Sequence, residues 1–223
     1  MIVAERKPME EILAMIEPFD RILVLGCKSC TAVCGAGGAK QVEELSTLIQ
    51  EDRKQKGKTV KTLEASTGLQ CDPKTVKPIL EKRANKFDVV LSMACGAGVQ
   101  TVVKMFPDLR VLPALNTNFI GMTEERGVWS EVCVACGDCI LGRTGGICPI
   151  TRCAKQLLNG PCGGSMNGKC EISKDVDCAW QLIIDRLTRL NRLEVLEEVF
   201  PVKDWSTGWH GGPQKIVRED LKS

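Results

Sequence analysis

RILVLGCKSCTAVCGAGG, residues 21 to 38, drives an unbroken aliphatic run, Ile22 to Leu25, into a loop of small residues carrying Cys27, Cys30 and Cys34. A short aliphatic run that ends on glycine reads as a strand buried on both faces, and strands of that kind belong to parallel sheets covered by helices. Three more runs share the character: TVKTLEAS from Thr59, FDVVLSMA from Phe87 and RVLPALNT from Arg110. Helical periodicity separates them, in EEILAMI, from about Lys40 to Lys56, over 73–84 and over 98–106. Pro78 stands inside the third of these and removes one helical hydrogen bond. Strand and helix therefore alternate, and residues 1–118 are expected to form a small Rossmann-like or flavodoxin-like α/β domain with a parallel sheet.

The texture changes near Glu131. Short turns rich in Gly, Pro and Cys follow, through CGDC, GRTGG, NGPCGGS and NGKC, with no strand or helix of useful length between Cys133 and Cys170. Such a segment buries too little apolar surface to fold unaided, so residues 119–223 are expected to be a Cys-rich module stabilised by metal. The helix in VDCAWQLIIDRLTRL closes it, with Val176, Trp180, Ile183, Leu187 and Leu190 on one face as its core stripe.

Net charge is +2 with both signs interspersed, so there is no electrostatic footprint for nucleic acid, and with no tyrosine and only five phenylalanines stacking platforms are poorly supplied. No apolar run has the length of a membrane span, and MIVAERKPMEE places charges where a secretory signal needs its hydrophobic stretch, so a cytoplasmic protein is expected. Thirteen cysteines in that compartment do not make a disulfide framework; they point to metal or redox chemistry. His210, the single histidine, lies far from every cysteine group, so thiolates alone must do the binding.

Cys133, Cys136, Cys139 and Cys148-Pro149 follow the C-x2-C-x2-C and Cys-Pro order of ferredoxins, although eight residues precede the last cysteine where the bacterial run has three. Cys153, Cys162, Cys170 and Cys178 complete two sets of four, and two 4Fe-4S clusters are expected in this half, with zinc as the alternative metal. In the first domain, Cys27, Cys30 and Cys34 follow the first strand, Cys71 the second and Cys95 the third. Ligands bind beyond the carboxyl ends of parallel strands, so four of these five are expected to converge on a third cluster or a zinc, the fifth being an ordinary buried thiol. Gly35, Gly37, Gly38, Gly96 and Gly98 would let backbone approach that site and donate N–H to sulfur. A nucleotide phosphate is the competing use of these loops, although G-x-G-x-x-G is not matched. Arg143, Arg152, Lys155 and Lys169 are candidate charges near the clusters, and Trp205 and Trp209 candidate interface anchors.

GCKSC, ACGAGVQ, PALNT, CGDC, GGICPI, LLNGPCGGS, GKCE, DCAWQLI and GGPQKI together resemble the MetV-type family of subunits that accompany methylenetetrahydrofolate reductase in acetogenic and related bacteria. The second half resembles the methylenetetrahydrofolate reductase C-terminal domain family. The resemblance implies an iron-sulfur electron-transfer subunit bound to a flavin-containing catalytic subunit that reduces methylene-tetrahydrofolate to methyl-tetrahydrofolate. The donor would be ferredoxin or an NADH-oxidising flavoprotein subunit. The folate chemistry itself belongs to a β/α barrel of about 250 residues, so this chain is expected to carry no catalytic residue for it. The alternatives are a zinc-binding scaffold subunit of the same complex and an enzyme with an open iron site.

Overall fold

The computed structural model describes residues 1–221, except the side chain of Trp209. It divides into two compact units, Met1–Ser130 and Glu131–Ser223. In the first, β1 (Ile2–Arg6) and α1 (Met9–Ile16) precede β2 (Arg21–Cys27), the short α2 (Cys30–Val33), α3 (Ala39–Gln55) and β3 (Lys61–Thr67). Then come α4 (Pro73–Glu81), β4 (Val89–Met93), α5 (Gly96–Met105), β5 (Arg110–Pro113), β6 (Leu115–Glu125) and β7 (Val128–Cys133).

The fold is α/β. Its four-stranded parallel sheet has the order β3-β2-β4-β5, the flavodoxin-like order in which the chain starts in the middle and reverses across its first strand. Alternation in β2 builds both faces of the core. Ile22 and Val24 pack with Ile12 and Ile16 of α1 and with Val42, Leu45 and Ile49 of α3, whereas Leu23 and Leu25 pack with Val76 and Leu80 of α4 and Val102 of α5. Arg53, buried in α3, donates to the carbonyls of Ile16 at 2.7 Å and Glu17 at 3.0 Å and so satisfies the end of α1. Helix α4 opens on an Asp72 cap, whose carboxylate accepts from Lys74 N at 2.9 Å, runs through Pro78 and ends at Glu81, short of the expected 84.

In the first unit three strands escaped the sequence reading. β1, β6 and β7 form a second, antiparallel sheet in the order β1-β6-β7, with Ile2 opposite Ile120. RVLPALNT, read as one run, is two strands in two sheets: β5 ends at Pro113 and β6 begins at Leu115. β6 crosses residue 118, the expected domain boundary, because its partner is β1 of the first unit.

The second unit holds α6 (Pro149–Arg152), β8 (Lys169–Cys170), β9 (Ser173–Asp177) and α7 (Ala179–Arg189). Trp180, Ile183 and Leu187 of α7 are its buried centre, against Ile147, Cys153, Leu157 and Cys178. Trp180 Nε1 donates to Leu157 O at 3.0 Å, so the indole is buried with its one donor satisfied. The expected stripe was too long at both ends. Val176 lies in β9 and Leu190 caps the helix, and both are exposed. Among the described residues no helix is long and apolar enough to cross a membrane.

Candidate metal centres

Three strands of the parallel sheet end on cysteines. Cys27 is the last residue of β2, Cys30 opens α2 just beyond it, Cys71 follows β3, and Cys95 caps α5 after β4. These four are electrostatic neighbours: burial pushes the Cys71 thiol up, and Cys95, Cys27 and Cys30 add to the rise. Cys30 is pushed the other way, chiefly by the Ile2 N–H and also by the Ser29 hydroxyl. Cys95 is the N-cap of the ten-residue α5.

Cys34 is different. Its Sγ donates to Ala4 O at 3.3 Å and lies 3.5 Å from Thr31 O, buried among the residues of the α1–α3 core. Cys27 is also buried, with its Sγ 3.8 Å from Gly68 O, but it lies at the end of β2 outside that core cluster.

The expected glycines shape these loops mostly by close packing. Gly35 takes φ +69°, a left-handed turn. A Cβ on Gly37 would overlap the Met93 carbonyl and the Thr31 side chain, and one on Gly98 would press on Ala94 and Gln70. Their N–H groups go to oxygen: Gly35 to Ala32 O, Gly37 to Thr31 O, Gly98 to Cys95 O and Gly96 to the Thr117 hydroxyl. For Gly38, at the N-cap of α3, the structure adds only a tight approach to the Gln41 side chain. Thr67 Oγ1, buried at the end of β3, has no hydrogen-bond partner. A buried hydroxyl left over at the strand end that leads to Cys71 suits an acceptor such as sulfur.

In the second unit, Cys153, Cys162, Cys170 and Cys178 line one small cavity of about 20 Å³, together with Lys155, Ser165, Glu171 and Trp180. They come from the end of α6, a glycine turn, β8 and the N-cap of α7. Gly164 N donates to Cys162 Sγ at 3.5 Å. Lys155 is held above its usual value first by its hydrogen bond to Glu171, with Cys162 contributing.

The remaining four are strung out. Cys133 is the last residue of β7, Cys136 and Cys139 follow in irregular chain, and Cys148 caps α6. Ala135 N donates to Cys133 Sγ at 3.4 Å and the Thr151 hydroxyl to Cys148 Sγ at 3.6 Å. Cys136 lines a cavity of about 550 Å³ with Ile150, Trp205 and His210, and Cys139 lines another of about 640 Å³. All thirteen cysteines are free.

Among the described residues no group of three His, Cys, Asp or Glu side chains stands close enough to hold a single ion. The neighbouring groups are nonetheless thiols, and N–H donors reach the sulfurs of Cys30, Cys133 and Cys162, a contact that iron-sulfur groups use. Trp205 meets His210 edge-on at 5.8 Å between centroids, so its ring has a partner within the unit; the side chain of Trp209, the other expected anchor, lies outside the described residues.

No curated protein and no solved structure matches the chain. A model of the family described as methylene-tetrahydrofolate reductase C terminal matches residues 112–206, the stretch from the end of β5 through both C-terminal cysteine sets to Trp205 and Ser206. Over residues 112–206 the chain is therefore similar to the methylene-tetrahydrofolate reductase C-terminal domain family.

Proposed function

We propose that the chain is the electron-transfer subunit of a methylenetetrahydrofolate reductase complex, holding iron-sulfur groups on its thiolates and serving a flavin-containing catalytic subunit. The observation that carries this reading is the convergence of Cys153, Cys162, Cys170 and Cys178, from four separate elements and turns, on one small cavity roofed by the Trp180 indole. Structural thiols scattered at random have no reason to share a cavity with each other. The family match over the same residues supplies the reaction in which a partner would use the electrons.

When bound, an iron-sulfur group passes single electrons; the protein's own part is ligation, shielding and charge. Cys27, Cys30, Cys71 and Cys95 are the ligands proposed for the first unit, and Cys133, Cys136, Cys139 and Cys148 for the remaining site. The N–H groups of Ala135 and Gly164 hold sulfur lone pairs in place. Cys95 and Cys178 stand at helix N-termini, and Trp180 keeps water from one side of the C-terminal cavity.

The test is flavin reduction in the complex while a low-potential donor is supplied. Wild-type chain should reduce the partner's flavin, and a chain carrying Cys162→Ser should do so at least tenfold more slowly. Equal rates would mean that electrons do not pass through these cysteines.

A further inference from the structure

Residues 203–214 contain two short 3-10 turns, Trp205–Thr207 and Trp209–Gly211, and lie against the chain that follows β7. The fastenings are polar contacts and backbone fits. Thr207 Oγ1 lies 2.9 Å from both the Cys136 and the Asp204 carbonyls, so one hydroxyl bridges two parts of the chain 71 positions apart. Lys203 Nζ donates to Asp138 O at 3.3 Å. Gly137 has φ +80°, and a Cβ there would overlap the Thr207 carbonyl; a Cβ on Gly208 would touch the Cys136 backbone at 3.6 Å. Gln214 ties the segment at its far end, its Nε2 donating to the carbonyls of Thr207 and Gly208.

Apolar anchoring is what this strap lacks. Among its described side chains only Lys203 is buried, and the aliphatic residues on either side face water, Val202 98% exposed and Ile216 86%. The buried centre of the unit, Trp180, Ile183 and Leu187 of α7, packs with none of its described residues. Each hydrogen bond to the strap is exchanged for one to water on opening, so its net contribution is modest. Segments with few buried apolar contacts open locally while the core beneath stays folded. The strap also covers something. Cys136 is partly covered, whereas Cys133 and Cys139 on either side of it are exposed, and Cys136 shares a cavity of about 550 Å³ with Trp205, Gly208 and His210 of the strap.

We propose that residues 203–214 are a latch on the Cys136 turn. Fastened, the latch restricts access to the Cys136 sulfur; released, with α7 still folded, it admits reagents from solvent. Gln214 and Thr207 are its fasteners. The inference rests on contacts within the chain and does not depend on which group the cysteines bind.

The experiment is anaerobic labelling of the full chain with iodoacetamide, the rate at each cysteine being read by peptide mass spectrometry. Cys133, exposed at the end of β7, is the reference for the reagent and for any loss of metal from the turn, and Cys178, packed against the α7 core, reports unfolding of the unit. In the wild-type chain Cys136 should label more slowly than Cys133. Gln214→Ala, at an exposed residue, removes two fastenings and should raise the Cys136 rate relative to Cys133 about tenfold, as two hydrogen bonds of ordinary net strength imply. Thr207→Val, which keeps the side-chain shape and removes the bridging hydroxyl, should raise it in the same direction. Cys178 should label as in the wild type. A Cys136-to-Cys133 ratio unmoved in both variants would overturn the proposal. So would a Cys178 rate that rises in step with Cys136, because the strap would then open only when the unit unfolds.

Discussion

Cys34 and Cys71 are the same residue type at the same end of one sheet, with opposite surroundings. Cys34 directs its S–H at backbone oxygen inside the core, and Cys71 is a surface residue whose thiol is partly covered beside three others. Cys34→Ser can keep both polar contacts and is expected to retain the wild-type metal content of the first unit, whereas Cys71→Ser should lose one group's worth; iron analysis of the two variants checks this. The sequence narrowed the first site to five cysteines for four places but could not pick the odd one. The choice depends on the Ala4 carbonyl of β1, thirty positions away in sequence. Asp88 offers a test at the same scale. The Arg21 guanidinium, hydrogen-bonded to it, holds its carboxyl below the usual range, so its stabilising contribution is present at neutral pH and lost as pH falls through the folded-state value. Asp88→Asn should therefore cost a little stability at neutral pH and nothing in strong acid, read as the difference in denaturant midpoints between variant and wild type. The effect is small because both side chains are largely exposed.

Helix α7 carries the second unit's packing on three residues. Truncating Trp180, 2% exposed, to alanine should cost about 3–5 kcal/mol in the metal-loaded protein. Guanidinium unfolding checks it, and faster release of metal should accompany the loss because the indole lines the four-cysteine cavity. The amphipathic period exposed this helix to sequence reading, yet not its limits. Cys178 is an extended N-cap with φ -68° and ψ 113°, so the helix starts at Ala179 and Val176 falls outside it. The parallel strands were legible because burial on both faces writes continuous aliphatic runs. The β1-β6-β7 sheet was not, since IVAER has only two buried residues and pairs with a strand more than a hundred residues away. A packing test belongs here too. Gly37→Ala would force a methyl onto the Met93 backbone and should disturb the loop after β2, lowering metal content in the first unit while the second unit's signals persist.

The whole chain is two compact units, each with its own cysteines, and the second consists largely of turns around α7. Ligation on this account contributes much of the second unit's folding free energy, as it does for small metal domains generally. Cysteine spacing pointed to such a module because thiolate ligands cluster in sequence, whereas nothing in the spacing pointed to Lys203, which is buried on the Asp138 carbonyl beyond the whole of the second cysteine set. The most direct test of the central claim is the count of iron, acid-labile sulfide and zinc per chain in protein purified without exposure to oxygen. The account predicts brown protein with iron and sulfide in equal amounts, enough for at least two 4Fe-4S clusters. Stoichiometric zinc with no sulfide would contradict it.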